Sequence, residues 1–112
     1  FVPKVDFLTS PGYLDGPGAR EKAGLPRGTG PHRVVTSKAL FGFDGETRKM
    51  TLLSVLRGLS PEEVVGEMAF RPLLAREIGD IPPPTDDELR VLREEIDPDR
   101  FIIRGETMSA IA

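Results

Sequence analysis

Apolar residues in this chain come in short runs separated by turn-forming clusters, and their period changes midway. Val5-Asp6-Phe7-Leu8 is short and β-prone and stops at the Ser10-Pro11-Gly12 turn signal, which predicts a strand. Arg33 to Phe43 predicts another. With side chains alternating, Val35, Ala39, Phe41 and Phe43 share one face with Ser37, and Val34, Thr36, Lys38 and Leu40 share the other. Met50 to Leu56 is apolar on both faces, broken by Thr51 and Ser54, the pattern of a strand covered on both sides. Asp44-Gly45 in the connection to Met50 predicts an antiparallel hairpin.

From Ser60 onward the cues are helical. Ser60 can cap, Pro61 suits the first helical position and Glu63 completes a capping box. Val64, Val65 and Met68 form a short apolar stripe; Gly66 weakens this helix and Pro72 ends it. Ile81-Pro82-Pro83-Pro84 reads as a stiff spacer. It leads to a second capping box, Thr85-Asp86-Asp87-Glu88, with acids where the helix dipole favours them. Leu89, Leu92 and Ile96 then line one face, with Asp86–Arg90 and Arg90–Glu94 as pairs four apart, and the helix ends near Asp97-Pro98. Phe101 to Ile103 is a short strand or an apolar tail, and 105–112 is expected to be loose. The class is α/β, an open sheet with a central hairpin and two late helices; sequence order leaves parallel and antiparallel pairing open.

Between Ser10 and Pro31 the pattern stops. Ten of these 22 residues are Gly or Pro. So long an irregular run is usually disordered or functional. Tyr13, Leu14 and Leu25, together with a balanced Asp15, Arg20, Glu21 and Lys22 set, argue for an ordered loop. Ala19 to Ala23 has room for one helical turn between Pro17 and Gly24.

Composition narrows the function. A chain of 112 residues fits one domain, and a net charge of −3 argues against nucleic acid as the main partner. No run approaches the roughly 20 apolar residues a bilayer span needs. Absence of cysteine fits a reducing compartment, and the expected location is cytoplasmic. The chain opens at Phe1 close to a strand-like pattern, so a longer parent polypeptide is expected.

Candidate chemistry is thin. His32 is the only histidine and sits at a strand entrance with no cysteine or second histidine to share a metal; no metal site is expected. The loop glycines match neither the dinucleotide fingerprint nor the P-loop. Glu63, Glu67, Glu94 and Glu95 are explained by capping and solvated helix faces. Arg48-Lys49 is a local basic spot able to meet a small anion.

The wording of the loop carries more. Val5-Asp6-Phe7-Leu8-Thr9-Ser10-Pro11-Gly12-Tyr13-Leu14-Asp15-Gly16-Pro17-Gly18-Ala19-Arg20-Glu21 closely resembles the beta subunit of glutaconate-type enzymes among the family I CoA-transferases. So do Gly28-Thr29-Gly30-Pro31 leading into Arg33-Val34-Val35-Thr36, Phe41-Gly42-Phe43-Asp44, and Met50 to Val55. Pro82-Pro83-Pro84-Thr85, Glu88-Leu89 and Leu92 to Pro98 look like the same subunit's C-terminal segment. The resemblance implies the C-terminal part of a single beta-subunit domain with an open-sheet fold. It also implies two partners, the N-terminal half of the beta subunit and a separate alpha subunit. The reaction would move CoA between small carboxylic acids through a glutamyl-CoA thioester, with the CoA thioester as substrate and no tightly bound cofactor. The family's nucleophilic glutamate and glycine-rich oxyanion segment lie upstream of the matched region, so no catalytic residue is assigned here and the chain alone is expected to be inactive. Ser10, Gly12, Tyr13, Asp15, Gly16, Gly18 and Arg20 become candidates for a substrate or interface wall, with Arg20 facing an anion or paired to Asp15 or Glu21. One departure stands out: Leu56-Arg57-Gly58-Leu59-Ser60 replaces the family's common His-Pro-Gly-Val-Thr. Relatives of this fold include a decarboxylase and a ring-opening hydrolase of CoA thioesters, so drifted sequence leaves drifted chemistry open.

Overall fold

Four strands form one sheet in the order β1-β2-β3-β4 in the computed structural model, which describes residues 1–102. They are β1 (Val34–Val35), β2 (Ala39–Phe43), β3 (Met50–Leu56) and β4 (Leu73–Ile81). The first three pair antiparallel, and β3 pairs parallel with β4. A parallel neighbour needs a crossover, which contains α2 (Pro61–Gly66). The chain divides into two units, Phe1–Pro82 and Pro83–Ala112.

The expected β2–β3 hairpin is present. Its turn is held by Asp44, whose carboxylate accepts bonds from the Glu46 and Thr47 amides and the Thr47 hydroxyl. Those bonds, chiefly from Thr47, hold the Asp44 carboxyl below its ordinary value. The core of the first unit is Ala39, Phe41, Leu52, Val55 and Val64, with Met50, Leu59, Val65, Met68 and Ile78 packed around it. Helix α2 begins as expected. The Ser60 hydroxyl accepts from the Glu63 amide, the Glu63 carboxylate accepts from the Ser60 amide, and Val64 is turned into the core.

Three expectations give way. Residues 33–43 do not make one strand, because the chain reverses at Thr36. The Thr36 hydroxyl accepts from the Lys38 and Ala39 amides, closing a tight turn. The reversal breaks the alternation, so Val35 lies three-quarters exposed while Ala39 and Phe41 are fully buried. Val5–Leu8 forms no strand among the described residues, and its apolar side chains face out. Strand β4, in turn, was not legible. While β3 advances from Leu52 to Ser54, β4 advances from Leu74 to Gly79, and the extra residues loop away. Its half-buried positions therefore fall at Ala75, Ile78 and Ile81, every third residue, and the strand's period of two is lost.

In the second unit, α3 (Asp86–Arg90) starts from its capping box, and the Thr85 amide and hydroxyl both donate to Glu88. Beyond Arg90 the helix widens into a π-helical turn, Val91–Ile96. A π turn brings residues five apart together. Arg90 therefore bonds Asp87 and Glu95, and not the expected Asp86 and Glu94. The same widening leaves Ile96 exposed, off the expected apolar stripe. Asp97 is buried and accepts from the Phe101 and Ile102 amides. Phe101 and Ile102 are exposed and form no strand. Ile103 and 105–112 lie outside the described residues.

Candidate functional site

The loop 10–31 is built from consecutive turns. Leu14 N–H donates to Pro11 C=O, Gly16 N–H to Tyr13 C=O and Ala19 N–H to Gly16 C=O. The expected helical turn follows as α1 (Ala19–Lys22). Few of these backbone bonds span any distance, so side chains hold the loop's ends together.

Two of them do so. Tyr13 Oη donates to Pro31 C=O at 2.8 Å, joining the loop's start to its exit. Arg20 donates from Nη1 to Gly12 C=O at 2.5 Å and from Nη2 to the Thr29 hydroxyl at 2.9 Å, and Thr29 in turn donates to Pro26 C=O at 2.6 Å. Arg20 thus ties three parts of the loop, and its Nε is buried with no hydrogen-bond partner among the described residues. Neither Asp15 nor Glu21 is its partner, so the expected internal ion pair gives way to bonds to neutral oxygens.

The loop docks on the hairpin through Tyr13. Its ring meets Phe43 edge-on at 5.1 Å between centroids, and the Arg48 guanidinium lies 5.4 Å from the ring centre. Gly30 permits this seat: at φ +141°, a Cβ there would stand 2.6 Å from Tyr13 Cε1. Gly16 approaches the hairpin turn at φ +105°, and a Cβ there would touch the Thr47 carbonyl at 3.5 Å.

Between loop and hairpin turn is a cavity of about 200 Å³, lined by Tyr13, Gly16, Gly18, Arg20 and Thr29 on one side and Glu46 and Arg48 on the other. Ser10, Gly12, Arg20, Gly30 and Pro31 line a second, wider hollow. Of the candidate residues, Tyr13, Gly16, Gly18 and Arg20 therefore converge on the first cavity, and Ser10 and Gly12 on the second. Asp15 is exposed and lines neither. The sequence did not single out Thr29 or Glu46. Thr29 has a signal in hindsight, since it lies in the Gly28–Pro31 turn that must return the chain to Tyr13. His32 is exposed. Among the described residues no group of three or more His, Cys, Asp or Glu is placed to hold a metal, and no described helix is long and apolar enough to cross a membrane. The cavity offers two guanidinium groups, a hydroxyl and glycine backbone but no paired nucleophile and base; it is equipped to bind and not to react.

The sheet, crossover and loop together define the class. In solved structures the same arrangement occurs in glutaconate coenzyme A-transferase from Acidaminococcus fermentans, with a TM-score of 0.84 and 39% identity over 93% of this chain and 40% of that one. In sequence the chain is 38% identical over 107 residues, 96% of its length, to the glutaconate CoA-transferase beta subunit of that organism. It therefore belongs with the glutaconate-type CoA-transferase beta subunits, corresponding to a partial, C-terminal-like portion. It spans about 40% of the length of that relative. Two further relatives widen the picture. The 3-oxoadipate CoA-transferase beta subunit of Pseudomonas knackmussii is 29% identical over 83% of this chain and 35% of the relative. The cholesterol ring-cleaving hydrolase IpdB subunit of Rhodococcus jostii is 34% identical over 60% of this chain and 26% of the relative. No family model matches.

Proposed function

We propose that this chain is the supporting part of a CoA-transferase beta subunit, acting on a small carboxylic acid and an acyl-CoA. The reading rests on one observation above all: 38% identity running through 96% of the chain, loop included. In this account the nucleophile is a glutamate outside the chain. Its carboxylate takes the CoA from the acyl-CoA as a thioester, the first acid leaves as a free carboxylate, and the second acid then accepts the CoA. The remaining part of the beta subunit, together with an alpha subunit, completes the site. The substrate CoA thioester is the only coenzyme required, and the setting is cytoplasmic.

Within that enzyme the loop 10–31 serves as a wall of the acyl-CoA site or of the subunit interface. Arg20 keeps the wall in shape, since its Nη groups are committed to Gly12 and Thr29. Arg48, over the Tyr13 ring at the cavity's other side, is the cation placed to meet a ligand anion.

The test is a chimera in which this chain replaces the matched part of the Acidaminococcus beta subunit, co-expressed with its alpha partner. Transfer of CoA from an acyl-CoA to a free acid is the expected result. A folded, assembled chimera without transfer overturns the reading. A second reading, hydrolysis of a CoA thioester, is favoured by the match to the ring-cleaving hydrolase subunit. Thioester loss to water with no acid acceptor required would select it.

A further inference from the structure

Residues 2–8 carry an unspent feature. The tetrad Val5-Asp6-Phe7-Leu8 has the residues of a strand, yet among the described residues no backbone hydrogen bond ties 1–10 to the rest. Its side chains are turned outward: Phe7 is 80% exposed, Leu8 66% and Val2 61%. The segment is anchored on either side. Phe1 meets Phe41 and Phe70 edge-on at 5.4 and 5.7 Å, and beyond Pro11 the loop is pinned by Tyr13. An apolar stretch held between two anchors, with free amides and carbonyls, is the form of a strand awaiting a neighbour.

We propose that Val5–Leu8 is a β-strand completed by a strand from the part of the CoA-transferase beta subunit that this chain does not span; the inference rests on the CoA-transferase reading above. The occupant follows from two facts. The relative is about two and a half times as long as the stretch this chain covers, since that stretch is 40% of it. Burying Phe7 and Leu8 also leaves the intervening amides and carbonyls without water, so whatever covers them must supply a backbone ladder and not only an apolar face. Phe7 and Leu8 point to opposite faces of such a strand, so the added layer covers it on both sides, as in the interior of a parallel sheet. Pro3, lacking an N–H, sets the ladder's upstream limit.

Hydrogen–deuterium exchange of this chain alone and within the chimera tests the inference. The expected result is fast exchange of the 4–8 amides in the isolated chain and at least about 100-fold slower exchange in the chimera, the protection of a ladder with a few kcal/mol of opening free energy. Unchanged fast exchange at 4–8 beside a protected β3 overturns it. Transfer activity without protection sinks this inference alone, and protection without activity sinks the transferase reading alone. If β3 is unprotected in the chimera, this chain is instead titrated with the separately purified remainder of the beta subunit. Protection of 4–8 on binding supports the strand; no binding, or binding without it, overturns it.

Discussion

The hairpin β2–β3 and the loop 10–31 are both ordered, but by different means. The hairpin is held by apolar burial around Phe41 and Leu52, both fully removed from water. The loop buries almost nothing of its own and is held by three side-chain bonds, from Tyr13 and Arg20. The hairpin's stability is thus spread over many small contacts, whereas the loop's shape is concentrated in a few replaceable groups. A wall that must present glycine backbone and cations to a ligand cannot be filled with leucine, so it is pinned at its ends.

That contrast can be broken most forcefully from the hairpin side. Phe41→Ala removes the central core ring and is expected to cost about 3–5 kcal/mol in urea unfolding; a loss under about 1 kcal/mol would move the core elsewhere. Gly30→Ala is the strongest blow to the loop. It drives a Cβ into the Tyr13 ring and strains the backbone, for about 1–3 kcal/mol, with the Tyr13 environment altered in fluorescence. Arg20→Lys keeps the charge but cannot reach both Gly12 and Thr29. Loop amides should exchange faster while β3 protection is unchanged; simultaneous loss of both would merge the two regions into one cooperative unit. Tyr13→Phe leaves the contact to Phe43 and removes only the bond to Pro31, for about 1 kcal/mol.

Acid gives a finer distinction. Hydrogen bonds hold Asp44, Glu63 and Glu88 below their ordinary values of 3.8, 4.5 and 4.5 in the folded chain. A carboxyl depressed on folding adds stability above its unfolded value and loses it as pH falls through the folded one. Melting temperature should therefore begin to drop just above pH 4.5 and keep dropping below 3.8. Asp44→Asn should flatten the lower part of that decline.

What the sequence revealed follows the same division. Elements set by local chemistry were readable: both capping boxes, the Asp44 turn, and β3 with its apolar faces. Elements set by distant partners were not. Val35 looked like core until the Thr36 turn reversed the chain, β4 lost its period to an irregular stretch opposite Leu52–Ser54, and Val5–Leu8 showed a strand whose neighbour is not in the described residues. In the loop, glycine content signalled order without chemistry. The role of Arg20 needed coordinates, because nothing in the spacing distinguishes a ligand's partner from a clamp on Gly12 and Thr29.

The central claim is that this chain shapes a CoA-transferase site whose nucleophile lies outside it. Peptide mapping of the chimera, quenched during incubation with an acyl-CoA, tests this directly. The account predicts covalently bound CoA on a glutamate outside residues 1–112. CoA attached to a glutamate within them, or transfer with no enzyme-bound CoA at all, would contradict it.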